Sequence, residues 1–211
     1  MTALITLLAG CVLAALAWHW AHRSIDGAAR VALVTVLGVT AAAFNIVVPI
    51  PSVEATTTVV LCAAIALGAR TGIATGLVAV IASSVAGGVG VWTIWQVVAV
   101  AAVACIGAVA SRGVPANVDW FEARHAIRLG AVAAVATVTW DVVTTAGGAA
   151  SYATQAGLTP LEQVVSALLV GAMFTLVHVV FTTLFTVFGG PPLLFALGRA
   201  RPRLDGGTVA T

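Results

Sequence analysis

Residues 44–96 read FNIVVPIPSVEATTTVVLCAAIALGARTGIATGLVAVIASSVAGGVGVWTIWQ. The stretch opens on a loop, residues 45–54, with Asn45, two prolines and one carboxylate, Glu54. Two apolar runs of 15 residues follow, 54–68 and 71–85, folded about Gly68-Ala69-Arg70-Thr71-Gly72. Each is shorter than the roughly 20 residues that cross a bilayer. Gly87-Gly88-Val89-Gly90 then turns the chain into Trp92, Trp95 and Gln96. That turn lacks the Lys-Ser/Thr ending of a phosphate loop. The fold-back predicts that both polar, aromatic ends share one membrane face, with the arginine-marked turn on the other. Short segments bounded by Gly and Pro are tolerated in lipid only beside protein or a water-filled cavity. The shared face is therefore read as a binding site.

The rest of the chain fits that solvent. Of 211 residues, 61% are hydrophobic and 8% charged, and the mean hydropathy is +1.13. Soluble domains carry about 25% charged residues. Backbone groups in lipid must be paired internally, and the apolar runs do not alternate as barrel strands do. The expectation is all-α: a polytopic bundle of six core transmembrane helices, residues 28–192, plus one extra N-terminal helix, residues 1–22. Residues 193–211 are read as a short, exposed basic tail. The extra helix carries Trp18, His19, Trp20 and His22, read as interfacial side chains, and has neither the basic lead nor the cleavage site of a secretory leader. Cys11, Cys62 and Cys105 sit in apolar runs without metal spacing and are read as small buried residues.

Sidedness comes from the arginines. Lysine is absent, and the nine basic residues are Arg23, Arg30, Arg70, Arg112, Arg124, Arg128, Arg199, Arg201 and Arg203. With seven alternating helices all nine fall on one side, and the loops 45–54, 86–92 and 148–162 hold none. The positive-inside rule then puts the C-terminus in the cytoplasm and the N-terminus outside, in a multi-pass cell-membrane protein. The small, dispersed net charge of +2 argues against nucleic acid. Residues 112–128 are read as a polar loop with an interfacial piece, and Gly189-Gly190-Pro191-Pro192 as the stop of the last helix, 163–188.

Ionisable groups at membrane depth are costly and point to function. Asp141, beside Trp140, is the foremost; the alternative is a hydrogen bond to Thr137, Thr144 or Thr145 in its own helix. Glu54 either contacts ligand or caps a helix N-terminus, where a carboxylate is favoured by the dipole. Trp92, Trp95 and Gln96 have the spacing of one helical face. The candidate substrate-binding set is Asn45, Glu54, Trp92, Trp95, Gln96, Trp140, Asp141 and Tyr152. Aromatic walls with a few polar groups suit a small molecule. Two carboxylates and no outer arginine favour a neutral or cationic ring compound. His178 lies about 16 residues, roughly 24 Å, into the last helix. That depth predicts a packed neutral histidine bonded to Thr175 or Thr182. Gly68, Gly72 and Gly76 recur every fourth residue and serve either packing within the bundle or docking of a partner. No paired nucleophile and base, HExxH sequence or nucleotide motif occurs, so neither catalysis nor a cofactor is expected.

Residues 28–112 resemble the substrate-binding membrane subunits (S components) of energy-coupling factor (ECF) vitamin transporters. The resemblance rests on Ala28 and Ala32, Pro49-Ile50-Pro51, the run from Gly68 through Gly72 to Gly76, and Trp92-Thr93-Ile94-Trp95-Gln96. It implies a six-helix bundle that captures a vitamin-like micronutrient from outside. It implies partners too: a transmembrane coupling subunit and two cytoplasmic ATPases. Ala28 and Ala32 match the small-residue docking motif of that family's first helix. The extra helix departs from the six-helix pattern. The alternative is a non-transporting scaffold or assembly factor, in which Asp141 and Gln96 would face other helices. A membrane enzyme would instead gather acid and base groups at one depth.

Overall fold

The computed structural model describes residues 27–112, 114, 118–153 and 157–204. The expected helix 1–22 and the last residues of the tail lie outside these. Among the described residues the chain is all-α, with six helices. They are α1 (Ala28–Val47), α2 (Thr56–Leu67), α3 (Ala69–Gly87), α4 (Val91–Ala110), α5 (Ala123–Tyr152) and α6 (Pro160–Leu204). All but α2 are long and apolar enough to cross a membrane, which makes this a multi-pass membrane protein.

The short helix α2 is the hub. Ten of its 12 residues are buried, as expected of a helix apolar on every side. At 1.5 Å per residue it covers only about 18 Å of a hydrocarbon layer roughly 30 Å thick. The remainder of its path is the irregular segment 48–55, exposed at residues 49–51 and buried where it meets the helix at Ala55. The fold-back into α3 takes one residue, Gly68, at φ 91, rather than the five-residue turn expected. Positive φ there suits glycine.

α2, α3 and α4 pack through small residues. A Cβ on Gly72 would lie 2.7 Å from the Ala64 Cβ, and one on Gly76 would overlap the Val100 side chain. Both glycines thus serve packing inside the bundle, and neither is open to a partner subunit. Gly38 lets α1 approach α3 in the same way, since a Cβ there would sit 2.6 Å from Val78. Without a hydrophobic drive between helices in lipid, such close approach is what holds them.

The expected stop at residues 189–192 is absent, and α6 runs through Pro191 and Pro192 to Leu204. The reason is a buried stripe: His178, Thr182, Thr186, Gly190, Leu194 and Leu197 recur at helical spacing on one face. Leu194 and Leu197 are each at most 3% exposed, so residues 193–204 are a packed helix end, not a loose tail. Neighbouring helices let transmembrane helices absorb the hydrogen bonds lost at proline. α5 likewise starts at Ala123, inside the expected polar loop. Cys62 is buried as expected, whereas Cys105 is exposed on the bundle surface.

The arginine-bearing helix ends gather at one end of the bundle. Arg128 donates to the Ala110 carbonyl at 2.8 Å, tying the start of α5 to the end of α4. Ile65, Ser111, Trp120, Leu194 and Arg201 border one hollow of about 630 Å³ there, which joins the ends of α2, α4 and α6.

Candidate functional site

At the opposite end, where the described residues include no arginine, the segment 48–55 is shaped by a tight turn. The Val53 N–H bonds the Ile50 carbonyl at 3.0 Å. Pro51 is second in this turn and Ser52 third, with φ 64. That pattern is a type II turn, whose third residue must be left-handed. Asn45, near the end of α1, fixes where the turn leads. Its Oδ1 accepts from the Ala55 N–H at 3.0 Å and its Nδ2 donates to Thr56 Oγ1 at 2.9 Å. Glu54 then caps α2, accepting from the backbone N–H groups of Thr56 and Thr57. The capping alternative for Glu54 therefore holds, and it is only part of that residue's work.

The remaining contact of Glu54 is His178. His178 Nε2 lies 3.1 Å from Glu54 Oε1, and His178 Nδ1 lies 2.8 Å from Asp141 Oδ1. The imidazole is 4% exposed and the two carboxylates 15–16%. One turn along α2 from Glu54 and two turns along α6 from His178, Thr58 and Thr186 share a buried hydroxyl hydrogen bond of 2.7 Å. α2 and α6 are thus pinned together just below the triad. Asp141 Oδ2 is buried without a hydrogen-bond partner, as is Ser83 Oγ.

These groups border a cavity of about 480 Å³. Its polar lining is Asn45, Ser52, Glu54, Thr56, Ser83, Gln96, Asp141 and His178, with Trp140, Val80 and the rest of the 48–53 segment as apolar wall. Asp141 stands 11 residues before the end of α5, or about 17 Å below it. The site is recessed into the bundle, not spread across its surface. Among the described residues no group of His, Cys, Asp and Glu is arranged to hold a metal. Both imidazole nitrogens already face carboxylates, so the three side chains bond one another and do not converge on an ion.

Five of the eight expected site residues meet here: Asn45, Glu54, Gln96, Trp140 and Asp141. Asp141 does not take the alternative of bonding its own helix through its carboxylate; Thr144 instead donates to backbone carbonyls, and Thr137 to that of Ala133. Trp92, Trp95 and Tyr152 stand apart from the lining. Trp95 is a staple between helices: its Nε1 donates to Ser151 Oγ at 3.2 Å, and a Cβ on Gly147 would overlap its ring. Trp92 is 46% exposed, folded over Gly90. Tyr152 ends α5.

His178 is the residue that sequence reasoning misplaced. Its expected partners, Thr175 and Thr182, are not the groups that bond it. The expectation put the pocket at the membrane surface, whereas its lining runs from the 48–53 segment as far as His178. The available signal was the rule already applied to Asp141, that an ionisable group within a span points to function. Compared with known protein families, with characterised proteins and with solved structures, the chain matches none. What defines it is its own geometry: a polytopic helical membrane protein with a recessed carboxylate–imidazole–carboxylate site.

Proposed function

We propose that the chain captures a small ring-bearing solute in this recessed cavity, as the substrate-specific membrane subunit of an ECF-type ATP-driven importer. The observation that carries capture is the cavity itself, in which Glu54, His178 and Asp141 meet beside Trp140 and Gln96. Its volume lies in the range of roughly 300–1,000 Å³ usual for small-molecule sites. Unpartnered buried oxygens on Asp141 and Ser83 are costly unless something bonds them, and a ligand with polar hydrogens would do so. A scaffold would turn Asp141 and Gln96 against neighbouring helices, whereas both border the cavity here.

The importer assignment rests on the resemblance over residues 28–112. Ala28 and Ala32 are exposed on α1, where a coupling subunit would seat. Gly72 and Gly76 have no part in that docking. The arginine-rich end faces the cytoplasm in this reading, following the positive-inside rule, and the cavity opens outward. Two ATPases on other chains supply the energy.

One observation favours a second reading, a membrane enzyme: acid and base groups do gather at one depth. Against it, carboxylates occupy both ring nitrogens of His178, which leaves no lone pair to activate a hydroxyl or water.

The test is mass spectrometry of small molecules that co-purify with the full chain and its membrane partners. A ring-bearing nutrient retained by the wild type and lost in Asp141→Asn supports capture. An identical small-molecule profile in both removes the site assignment. Co-purification of ATPase subunits tests the importer assignment separately, and a C-terminal fusion active only outside the cytoplasm would reverse the orientation.

A further inference from the structure

We infer that the Glu54–His178–Asp141 triad carries a single excess negative charge and selects a monocationic ligand, with protons competing for the same place. The inference rests on the capture reading and specifies the charge class of what is captured.

The argument is a proton count. Two hydrogen bonds join the three side chains, Nδ1 to Asp141 Oδ1 and Nε2 to Glu54 Oε1. Each bond needs one proton between its two heavy atoms. Stripped of protons, two carboxylates and an imidazole ring carry three negative charges. Two bridging protons leave one, wherever along each bond the proton rests. The three side chains share these two protons, so the net charge belongs to all of them.

Nothing else on the cavity wall cancels that charge. Glu54 comes from the segment before α2, Asp141 from α5 and His178 from α6. α3 contributes Ser83 and Val80, α4 contributes Gln96, and α1 contributes Asn45. No arginine borders the cavity among the described residues. Asp141 Oδ2 is the one carboxylate oxygen of the triad that is buried and unbonded, so no described group meets the excess charge there. Trp140, the residue next to Asp141, lines the same wall, and an indole face attracts a cation. A positively charged nitrogen placed between Asp141 Oδ2 and Trp140 satisfies both. The carbonyl of Gln96 and the hydroxyl of Ser83 remain to accept its hydrogens or those of a substituent.

His178 is a positioning residue here. With both nitrogens engaged it bridges the carboxylates and holds them apart, so that two like charges share one site at the cost of one net charge. A third proton added to the triad removes that charge, so a cationic ligand binds more weakly as the solution is acidified.

The test uses two planar probes that differ in charge, N-methylpyridinium and pyridine, with benzoate as the anion. Binding is measured calorimetrically on the full chain in lipid nanodiscs, above the pH at which pyridine protonates. N-methylpyridinium is expected to bind about tenfold more tightly than pyridine, or better, a gap of about 1.4 kcal/mol. Its affinity is expected to fall on acidification, with protons released on binding. The double variant Glu54→Gln/Asp141→Asn keeps the size of both side chains and removes both carboxylates, so no negative charge is left; one amide alone could donate its own N–H to the ring and leave the other carboxylate charged. It should bind N-methylpyridinium no more tightly than pyridine. Should the double variant fail to fold, the comparison of cation, neutral ring and anion on the wild-type chain still decides the charge class. Equal binding of the cation and pyridine, tighter binding of benzoate, or a preference that survives both substitutions overturns the charge selection and leaves capture standing. No binding of any probe to the folded chain overturns both.

Discussion

The two ends of α2 solve opposite problems with the same helix. Toward Gly68 it lies against α3 and α4 through Ala64, Gly72 and Ala104, at distances too short to admit one extra carbon. Toward Glu54 it opens into a polar cavity where three ionisable side chains hold one another. The tight end is held by close approach of small residues, because in lipid van der Waals contact holds helices together. The open end leaves volume unfilled and spends its hydrogen bonds on arranging Glu54, His178 and Asp141. A helix too short to span makes both possible: its missing turns become the segment 48–55, and the space that segment does not fill becomes the cavity.

Substitutions that separate the two ends sharpen this contrast. The largest effect is expected from Trp95→Ala, which empties the contact with Gly147 and Ser151. Loss of a buried Trp side chain costs about 3 kcal/mol or more, read as a lower denaturation midpoint in mixed micelles. The probe affinity of the chain that remains folded should be unchanged, since Trp95 does not line the cavity. Reduced affinity there would return Trp95 to the site. His178→Ala should cost about 3 kcal/mol, because it leaves two partly buried carboxylates without their bridge. Binding should be lost with it, and restoration of binding by His178→Gln would show that bridging alone suffices.

Gly76→Val acts at the tight end. Its side chain would overlap Val100, and overpacking of this kind costs about 2 kcal/mol. Stability should fall while the cation preference persists; a lost preference would mean that the two ends are coupled. The smallest effect belongs to Asn45→Ala, which removes two hydrogen bonds that locate the start of α2. A cost of about 1 kcal/mol is expected, with severalfold weaker binding as Glu54 loses its anchor. Unaltered binding would show that Pro51 and the turn at Ser52 suffice to place Glu54.

Much of the candidate site could be read one residue at a time. Asp141 and Glu54 stood out because a carboxylate in an apolar run is expensive, and that expense is local to the run. Asn45, Gln96 and Trp140 followed as polar or aromatic groups at the same ends of their helices. What one-residue reasoning could not supply was register. His178 meets Asp141 across 37 residues and Glu54 across 124, and no spacing within a helix announces either. Trp95 shared a helical face with Gln96 on paper, yet one residue of rotation sends its ring to Gly147 and leaves Gln96 at the cavity.

Hydropathy and the placement of arginines by themselves determined that this is a helical membrane protein with an arginine-rich end and an arginine-free end. They could do so because the cost of burying backbone and charge in lipid is paid span by span. Only the tertiary structure decided that α6 continues through its prolines, that the glycines of α3 face inward, and that an imidazole joins two carboxylates into one site. Those outcomes depend on which helix lies beside which, and at what height, and that is fixed by packing between segments far apart in the chain.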